Sequence, residues 1–203
     1  TTWYKVKNDT LSKDIKSWKE YLPNLPVSDV VISDSFLFSK EKFFNTKAKD
    51  LLQSLSNKGN ESIINLIIFA EPSSDEMQID EDFRDNLVKE LNKNEHHNEI
   101  KLSVVLLPTE KKTNPYHDRY IITNYYTISP GHGVNFIGSL NPDENSLVST
   151  KLSHHASQSL LSIYCRCLYD AFENQEGKKL IGNFEECKQN KLMKQDKYYR
   201  YPL

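Results

Sequence analysis

Apolar runs of strand length alternate with segments of helical spacing along much of this chain. Three runs have the β-branched composition of strands: VSDVVISD at 27–34, IINLIIFA at 63–70 and KLSVVLLP at 101–108. The second run is almost continuously apolar, which is typical of a strand covered on both faces. We therefore predict that the strand at 63–70 is central in a sheet.

Three helices are predicted between and after these strands, from apolar residues three or four positions apart. The first follows Ser39 and ends at Gly59, the second begins near Asp80, and the third follows Ser153. Acidic residues open the second helix, where the helix dipole favours negative charge. The apolar positions are Phe44, Ala48, Leu51, Leu52, Leu55, Phe83, Leu87, Leu91, Leu160, Leu161, Tyr164, Leu168 and Phe172.

Two further strands complete the predicted sheet, HDRYIITN at 117–124 and VNFIG at 134–138. The resulting order predicts one α/β domain over residues 27–175, with a mixed β-sheet, helices on both faces and the first three strands parallel. Residues 1–26 are predicted to form an N-terminal helix and turn packed on this domain. Residues 176–203 are predicted to form a basic C-terminal helix and tail.

Composition excludes several classes of protein. Hydrophobic residues make up 37% and charged residues 27% of the 203 positions, which predicts a densely charged surface. No apolar run is long enough to span a bilayer. The three cysteines have the spacing of neither a disulfide framework nor a zinc site, so we expect reduced thiols in a cytoplasmic protein without a metal or cofactor.

Charge is distributed unevenly along the chain. Residues 71–100 hold ten acidic residues and three basic ones, whereas residues 177–203 hold seven basic residues and three acidic ones. The basic segment also contains three tyrosines near its end, which suits a strand of nucleic acid or an anionic lipid surface. Two interpretations stay open: a solvated surface, or weak, salt-sensitive polyanion binding by a helical stripe of Lys188, Lys191, Lys194 and Lys197.

The strand at 117–124 carries polar residues where apolar ones are expected. His117 and Arg119 lie two positions apart at its start, so their side chains project to one face, about 7 Å apart along the backbone. In that arrangement both can contact one phosphate group. Asn124 has the opposite parity and projects to the other face.

These residues resemble the motif of the phospholipase D superfamily, H-x-K-x4-D followed after about six residues by a glycine-rich turn. HDRYIITN has the same spacing, and GHGVNF at 131–136 follows the six-residue spacer YYTISP. A literal GSLN at 138–141 is the second candidate for the turn. The order of elements over residues 27–175 is also similar to one half of that fold, a phospholipase D-like half. The stretch is most similar to degenerate members such as the phospholipase-D-like C-terminal domain of MIT-domain proteins.

In active members of this family one histidine attacks phosphorus, a second protonates the leaving oxygen, and lysines hold the phosphoryl oxygens. Two copies of the motif form each active site, and this chain has one. The resemblance therefore implies that an active form is a homodimer, a metal-independent phosphodiesterase or nuclease with His117 as nucleophile and Arg119 and Asn124 as its other catalytic residues.

The departures from the motif imply a different function. Arginine replaces the lysine and asparagine replaces the aspartate, and an amide cannot stabilise a protonated histidine as a carboxylate does. The resemblance thus implies a non-catalytic module that recognises phosphate or binds a protein partner. Its phosphate-binding residues would be His117, Arg119, Gly131, Gly133 and Asn135. The remaining interpretation is a purely structural polar strand end.

Overall fold

The computed structural model of this chain describes residues 2–5, 17–22, 24–38, 44–58, 63–72, 77–108, 119–130, 147–152 and 158–193. Its strands are β1 Thr2–Lys5, β2 Asp29–Ser33, β3 Ile63–Ala70, β4 Glu99–Leu106, β5 Tyr120–Thr123, β6 Tyr126–Pro130, β7 Leu147–Leu152 and β8 Lys179–Ile181. Its helices are α1 Trp18–Tyr21, α2 Lys49–Ser56, α3 Glu81–Leu91, α4 Gln158–Phe172 and α5 Phe184–Cys187. A π-helical turn at Phe44–Ala48 leads into α2, and 3₁₀ turns lie at Gln175–Gly177 and Lys191–Met193.

The described strands form one mixed sheet of eight strands, in the order β1-β7-β6-β5-β2-β3-β4-β8. Strands β2, β3 and β4 are parallel, as their sequences predict, while β5 pairs with β2 and β8 pairs with β4 in antiparallel fashion. Strand β3 lies between β2 and β4, so the prediction of a central strand at 63–70 is confirmed. The fold is α/β.

Helices cover both faces of this sheet. On one face α1, α2 and α3 pack over the even-numbered residues of β2 and β3. On the other face α4, together with α5 and the 3₁₀ turn that follows it, packs over the odd-numbered residues. The aromatic rings of Phe69 in β3 and Tyr164 in α4 meet at 4.9 Å between centroids. The predicted mixed sheet with helices on both faces is therefore confirmed.

The start of α3 follows the sequence prediction closely. Asp80 is the N-cap, and its Oδ1 accepts a hydrogen bond of 2.9 Å from the backbone N–H of Phe83. Glu81 and Asp82 occupy the first turn, where the helix dipole favours acidic side chains. The local sequence is sufficient to predict where α3 begins, because the N-cap and the residue whose N–H it binds are only three positions apart.

Four strands of the sheet were not predicted: β1, β6, β7 and β8. Strand β1 lies in the segment 1–26, which was predicted as a helix and a turn, and it pairs with β7 in antiparallel fashion. The six-residue spacer YYTISP contains β6, which forms a hairpin with β5, and β6 in turn pairs with β7. Strand β8 lies within the predicted C-terminal tail, so the described part of 176–203 contains a strand, a short helix and a 3₁₀ turn rather than one continuous helix. The predicted strand at 134–138 lies outside the described residues.

The C-terminal segment is attached to the start of β2 by a buried carboxylate. Asp29 is 1% exposed, and its Oδ1 accepts a hydrogen bond of 2.9 Å from the backbone N–H of Lys191. The Oδ2 atom of the same carboxylate accepts a bond of 2.6 Å from the Ser28 hydroxyl. Nearby, the side-chain amide of Asn190 donates to the carbonyls of Val30 and Asn65. Because these groups are withdrawn from water, each bond offsets a desolvation cost. The chain through Met193 is therefore part of the domain.

Among the described helices, none combines the length and the apolar composition that a membrane crossing requires.

Burial of the three cysteines of the chain predicts that they are unreactive, and this is testable. Cys165, Cys167 and Cys187 are free and buried, and burial raises the pKa of the Cys187 thiol to about 11. Because the thiolate is the reactive species, we expect DTNB at pH 8 to label almost none of them in the native protein and all three in guanidinium chloride. A Glu173→Cys variant should add one rapidly labelled thiol. Rapid labelling of the native parent chain would contradict the buried placement.

A second expectation concerns Tyr126, which is 2% exposed and belongs to the hydrophobic core on the face covered by α1, α2 and α3. Its hydroxyl has no hydrogen-bond partner in the described part of the chain, and burial raises its pKa. Because an unpaired buried hydroxyl carries a desolvation cost, Tyr126→Phe should stabilise the protein by about 1 kcal/mol in urea denaturation. Tyr125→Phe, at an exposed neighbour, is the control and should change stability little. Destabilisation of the Tyr126 variant would indicate that its hydroxyl is satisfied.

Candidate functional site

The candidate site lies at the carboxyl edge of the parallel strands, where β2 ends beside the start of β5. The register pairs Ser33 with Tyr120, so Asp34 and Arg119 are the next residues opposite each other. Strands β3 and β4 lie on one side of β2 and β5 lies on the other. In open α/β sheets, ligands bind in the crevice at the carboxyl ends of strands where the strand order reverses.

Asp34 is held rigidly at this edge. It is 2% exposed, and its backbone N–H donates to the carbonyl of Phe69 in β3 at 3.0 Å. Its Oδ1 accepts a hydrogen bond of 2.9 Å from the backbone N–H of Phe36, two residues further on, which is the pattern of an Asx turn. The carboxylate thus stabilises the turn that leaves β2.

Arg119 contacts both Asp34 and Phe36. Its Nε lies 3.6 Å from Asp34 Oδ1, which is an ion-pair distance but too long for a good hydrogen bond. Its guanidinium carbon lies 5.1 Å from the centre of the Phe36 ring, within the range of a cation–π contact. The side chain is only 21% exposed, and no hydrogen bond joins the guanidinium to another described residue. Among the described residues, only Asp34 and the Phe36 ring therefore orient the guanidinium of this largely buried side chain.

Two serines flank Asp34 and are also buried. Ser33 is 1% and Ser35 is 3% exposed, and neither hydroxyl has a hydrogen-bond partner within the described ranges. Buried hydroxyls are normally hydrogen-bonded, so two orphaned ones at a single strand end call for an explanation.

Asn124 lies at the opposite end of β5. Its Oδ1 accepts hydrogen bonds from the backbone N–H groups of Ser28 at 3.1 Å and Asp29 at 3.5 Å. Its own backbone N–H donates to the carbonyl of Asp29 at 3.1 Å. Asn124 thus joins the end of β5 to the start of β2. Five residues of extended chain, about 17 Å, separate it from Arg119, so the two do not share a site.

The structure therefore divides the residues predicted to form the site. Arg119 lies at the carboxyl edge and Asn124 at the amino edge. His117, Gly131, Gly133 and Asn135 lie outside the described residues, as do both candidate glycine turns. Among the described residues, the ion-pair partner of Arg119 is Asp34, which directly follows β2.

Sequence reasoning missed Asp34, Phe36 and the two serines. The available signal was the stretch ISDSF at 32–36, in which polar residues directly follow an apolar strand. Because carboxyl ends of parallel strands share one edge, polar residues in that position are candidates for a site. Their pairing with Arg119 required the antiparallel register of β5 on β2, which no local pattern indicates.

Known proteins add nothing to this assignment: no family model matches the chain, and no curated protein is significantly similar to it. The chain is an α/β domain with a cluster of polar residues at the carboxyl edge of its parallel strands.

The role of Asn124 as a strand connection can be tested by substitution. Asn124→Ala removes the acceptor of two backbone N–H groups, so we expect it to cost about 1–3 kcal/mol in urea denaturation. Asn124→Asp keeps an acceptor and should lose less, although its charge lies near the buried carboxylate of Asp29. Asn92→Ala is not a suitable control, because the Oδ1 of Asn92 also accepts a hydrogen bond from a backbone N–H. Asn45 is exposed, so Asn45→Ala is a suitable control. Unchanged stability of Asn124→Ala would contradict this role.

Proposed function

We propose that this domain is a non-catalytic module that recognises a phosphate-bearing ligand through Arg119 at the carboxyl edge of the sheet. The observation that carries the proposal is the guanidinium of Arg119, largely buried at the point where the strand order reverses and not hydrogen-bonded to any described residue. Arginine suits phosphate because its planar fork of N–H donors binds two oxygens at once.

Within the described part of the chain, the contacts of Arg119 leave part of its guanidinium available to a ligand. The ion pair with Asp34 uses Nε, and neither Nη group is hydrogen-bonded to a described residue, so we assign both Nη groups to the phosphate oxygens. Asp34 orients the guanidinium, and the Phe36 ring supports one of its faces. Such preorganisation lowers the conformational entropy that binding costs.

The same ion pair limits the affinity. Asp34 offsets the positive charge of Arg119, so electrostatic attraction of an anion over a distance is weak. Two charge-assisted hydrogen bonds contribute about 1.5–3 kcal/mol each. A dissociation constant of about 1 mM corresponds to about 4 kcal/mol. We therefore expect free phosphate to bind in the millimolar range.

The described geometry favours recognition over catalysis. The resemblance to phospholipase D-like enzymes assigns the place of the motif's acid to Asn124, which is an amide and is engaged in hydrogen bonds at the opposite end of β5. Asp34, the carboxylate that does lie at the site, is engaged with Arg119 and with the turn. A homodimer and a protein partner are further proposals that follow from the resemblance.

Polyanion binding by the C-terminal segment stays a separate prediction. Lys178 is 5% exposed and forms ion pairs with Asp170, at 3.0 Å, and with Glu176. Lys188 forms an ion pair of 2.7 Å with Glu185. These two lysines have acidic partners within the domain, which weakens the case for a continuous basic surface and favours Arg119 as the phosphate site.

Substitution of Arg119 tests the proposal. We expect saturable binding of inorganic phosphate to the full chain, followed by ¹H–¹⁵N NMR at constant ionic strength, with a dissociation constant in the millimolar range. Arg119→Met should lower the affinity for phosphate at least about tenfold, because the loss of one charge-assisted hydrogen bond changes a dissociation constant by more than about a factor of ten. Arg119→Lys retains the charge without the fork and should also weaken it. Arg166→Met, on the exposed surface of α4, is the matched control and should bind like the parent.

Two outcomes would contradict the proposal. Equal losses in the Arg119 and Arg166 variants would place the anion elsewhere. Metal-independent hydrolysis of bis(p-nitrophenyl) phosphate that is lost in a His117→Ala variant would instead support the dimeric phosphodiesterase, with His117 as its nucleophile.

A further inference from the structure

We infer that the ligand of this site is a nucleoside monophosphate, whose base stacks on Phe36 while its phosphate binds Arg119. The inference rests on the proposed phosphate site and assigns the chemical class of its ligand. It begins from Phe36, which is 45% exposed although it lies between buried residues at the end of β2.

Phe36 does not belong to the hydrophobic core. Leu37 and Phe38, which follow it, are fully buried, and the Phe38 ring packs against Phe44 and Phe83 at 5.5 and 5.7 Å between centroids. The turn therefore anchors its next two residues in the core under α2 and α3 and leaves the Phe36 ring at the surface. An exposed phenyl ring in a rigid turn is the arrangement that stacks nucleobases.

The turn that carries Phe36 is fixed by hydrogen bonds. The backbone N–H of Phe36 donates to Asp34 Oδ1 at 2.9 Å, and that of Leu37 donates to the Asp34 carbonyl at 3.0 Å. The ring is thus positioned by the same residue that positions Arg119. A cation for phosphate and an aromatic surface for a base are held together before any ligand binds, which reduces the entropic cost of binding.

A nucleotide matches this pair of groups better than an inorganic anion or an anionic surface does. The phosphate of a nucleotide can bind the guanidinium of Arg119, and its flat, uncharged base can stack on the ring of Phe36.

The charge of the edge favours a monophosphate over a polyanion. Asp34 offsets the charge of Arg119, so the edge has little long-range attraction for a nucleic-acid strand or an anionic bilayer. A ligand with one phosphate and a neutral aromatic part depends instead on short-range hydrogen bonds and stacking.

The test compares AMP, ribose 5-phosphate, adenosine, o-phosphotyrosine and inorganic phosphate in titrations of the full chain. Stacking of a base contributes about tenfold to a hundredfold in affinity. We expect AMP to bind tighter than ribose 5-phosphate by about that factor, and adenosine and o-phosphotyrosine to bind more weakly than AMP.

Variants of Phe36 separate the ring from the phosphate site. Phe36→Leu should reduce AMP binding to the level of ribose 5-phosphate without changing phosphate binding, and Phe36→Tyr should retain the preference for AMP. Phe172→Leu removes a phenyl ring of similar exposure, 46%, from α4 and should change nothing. Circular dichroism establishes that each variant is folded.

The outcomes distinguish this inference from the proposed function. If phosphate binding depends on Arg119 but AMP binds no tighter than ribose 5-phosphate, the ligand is not a nucleotide and the phosphate site stands. If o-phosphotyrosine binds as tightly as AMP, the inference is also overturned. If no phosphate-bearing ligand binds in an Arg119-dependent manner, the proposed function itself fails.

Discussion

Coverage of β2 and β3 on both faces is the constraint on which the rest of this structure depends. All five residues of β2 are buried, and those of β3 are buried from Leu66 onward, between α1, α2 and α3 on one side and α4 on the other. Unpaired polar groups are costly in such a position. The polar residues of these strands are therefore concentrated at the two edges of the sheet, where the chain turns.

The two edges use their polar residues differently. At the amino edge, Asn124, Asp29 and Asn190 form hydrogen bonds that join β5 and the C-terminal segment to β2. At the carboxyl edge, Arg119 has an ion pair and a ring contact but no hydrogen bond to a described residue. One short stretch, HDRYIITN, thus contributes a scaffold residue at one end and a candidate ligand-binding residue at the other. The two residues that match one catalytic motif in sequence therefore lie at opposite ends of β5 and have separate roles.

The predictable parts of the fold are those determined by neighbouring residues. The buried run at 63–70 is central, and Asp80 begins α3 through a hydrogen bond to a residue three positions away. Strand β8 was missed because it has three residues in a basic segment and pairs with β4 over 70 residues earlier. Strand β6 was not predicted because YYTISP is a short, polar stretch that contains proline, which is not typical of a strand. Its strand conformation depends on pairing with β5 and β7.

The sequence by itself determined the α/β class, the parallel core and the opposite parity of Arg119 and Asn124, because hydrophobic period and side-chain alternation are local properties of the chain. Only the tertiary structure decided which groups meet at the site. Asp34 and Arg119 are 85 positions apart and become neighbours through the antiparallel register of β5 on β2. That register results from burial of Ile32 and Ile121 on the same face of the sheet, a constraint that the complete fold imposes and that neither strand contains alone.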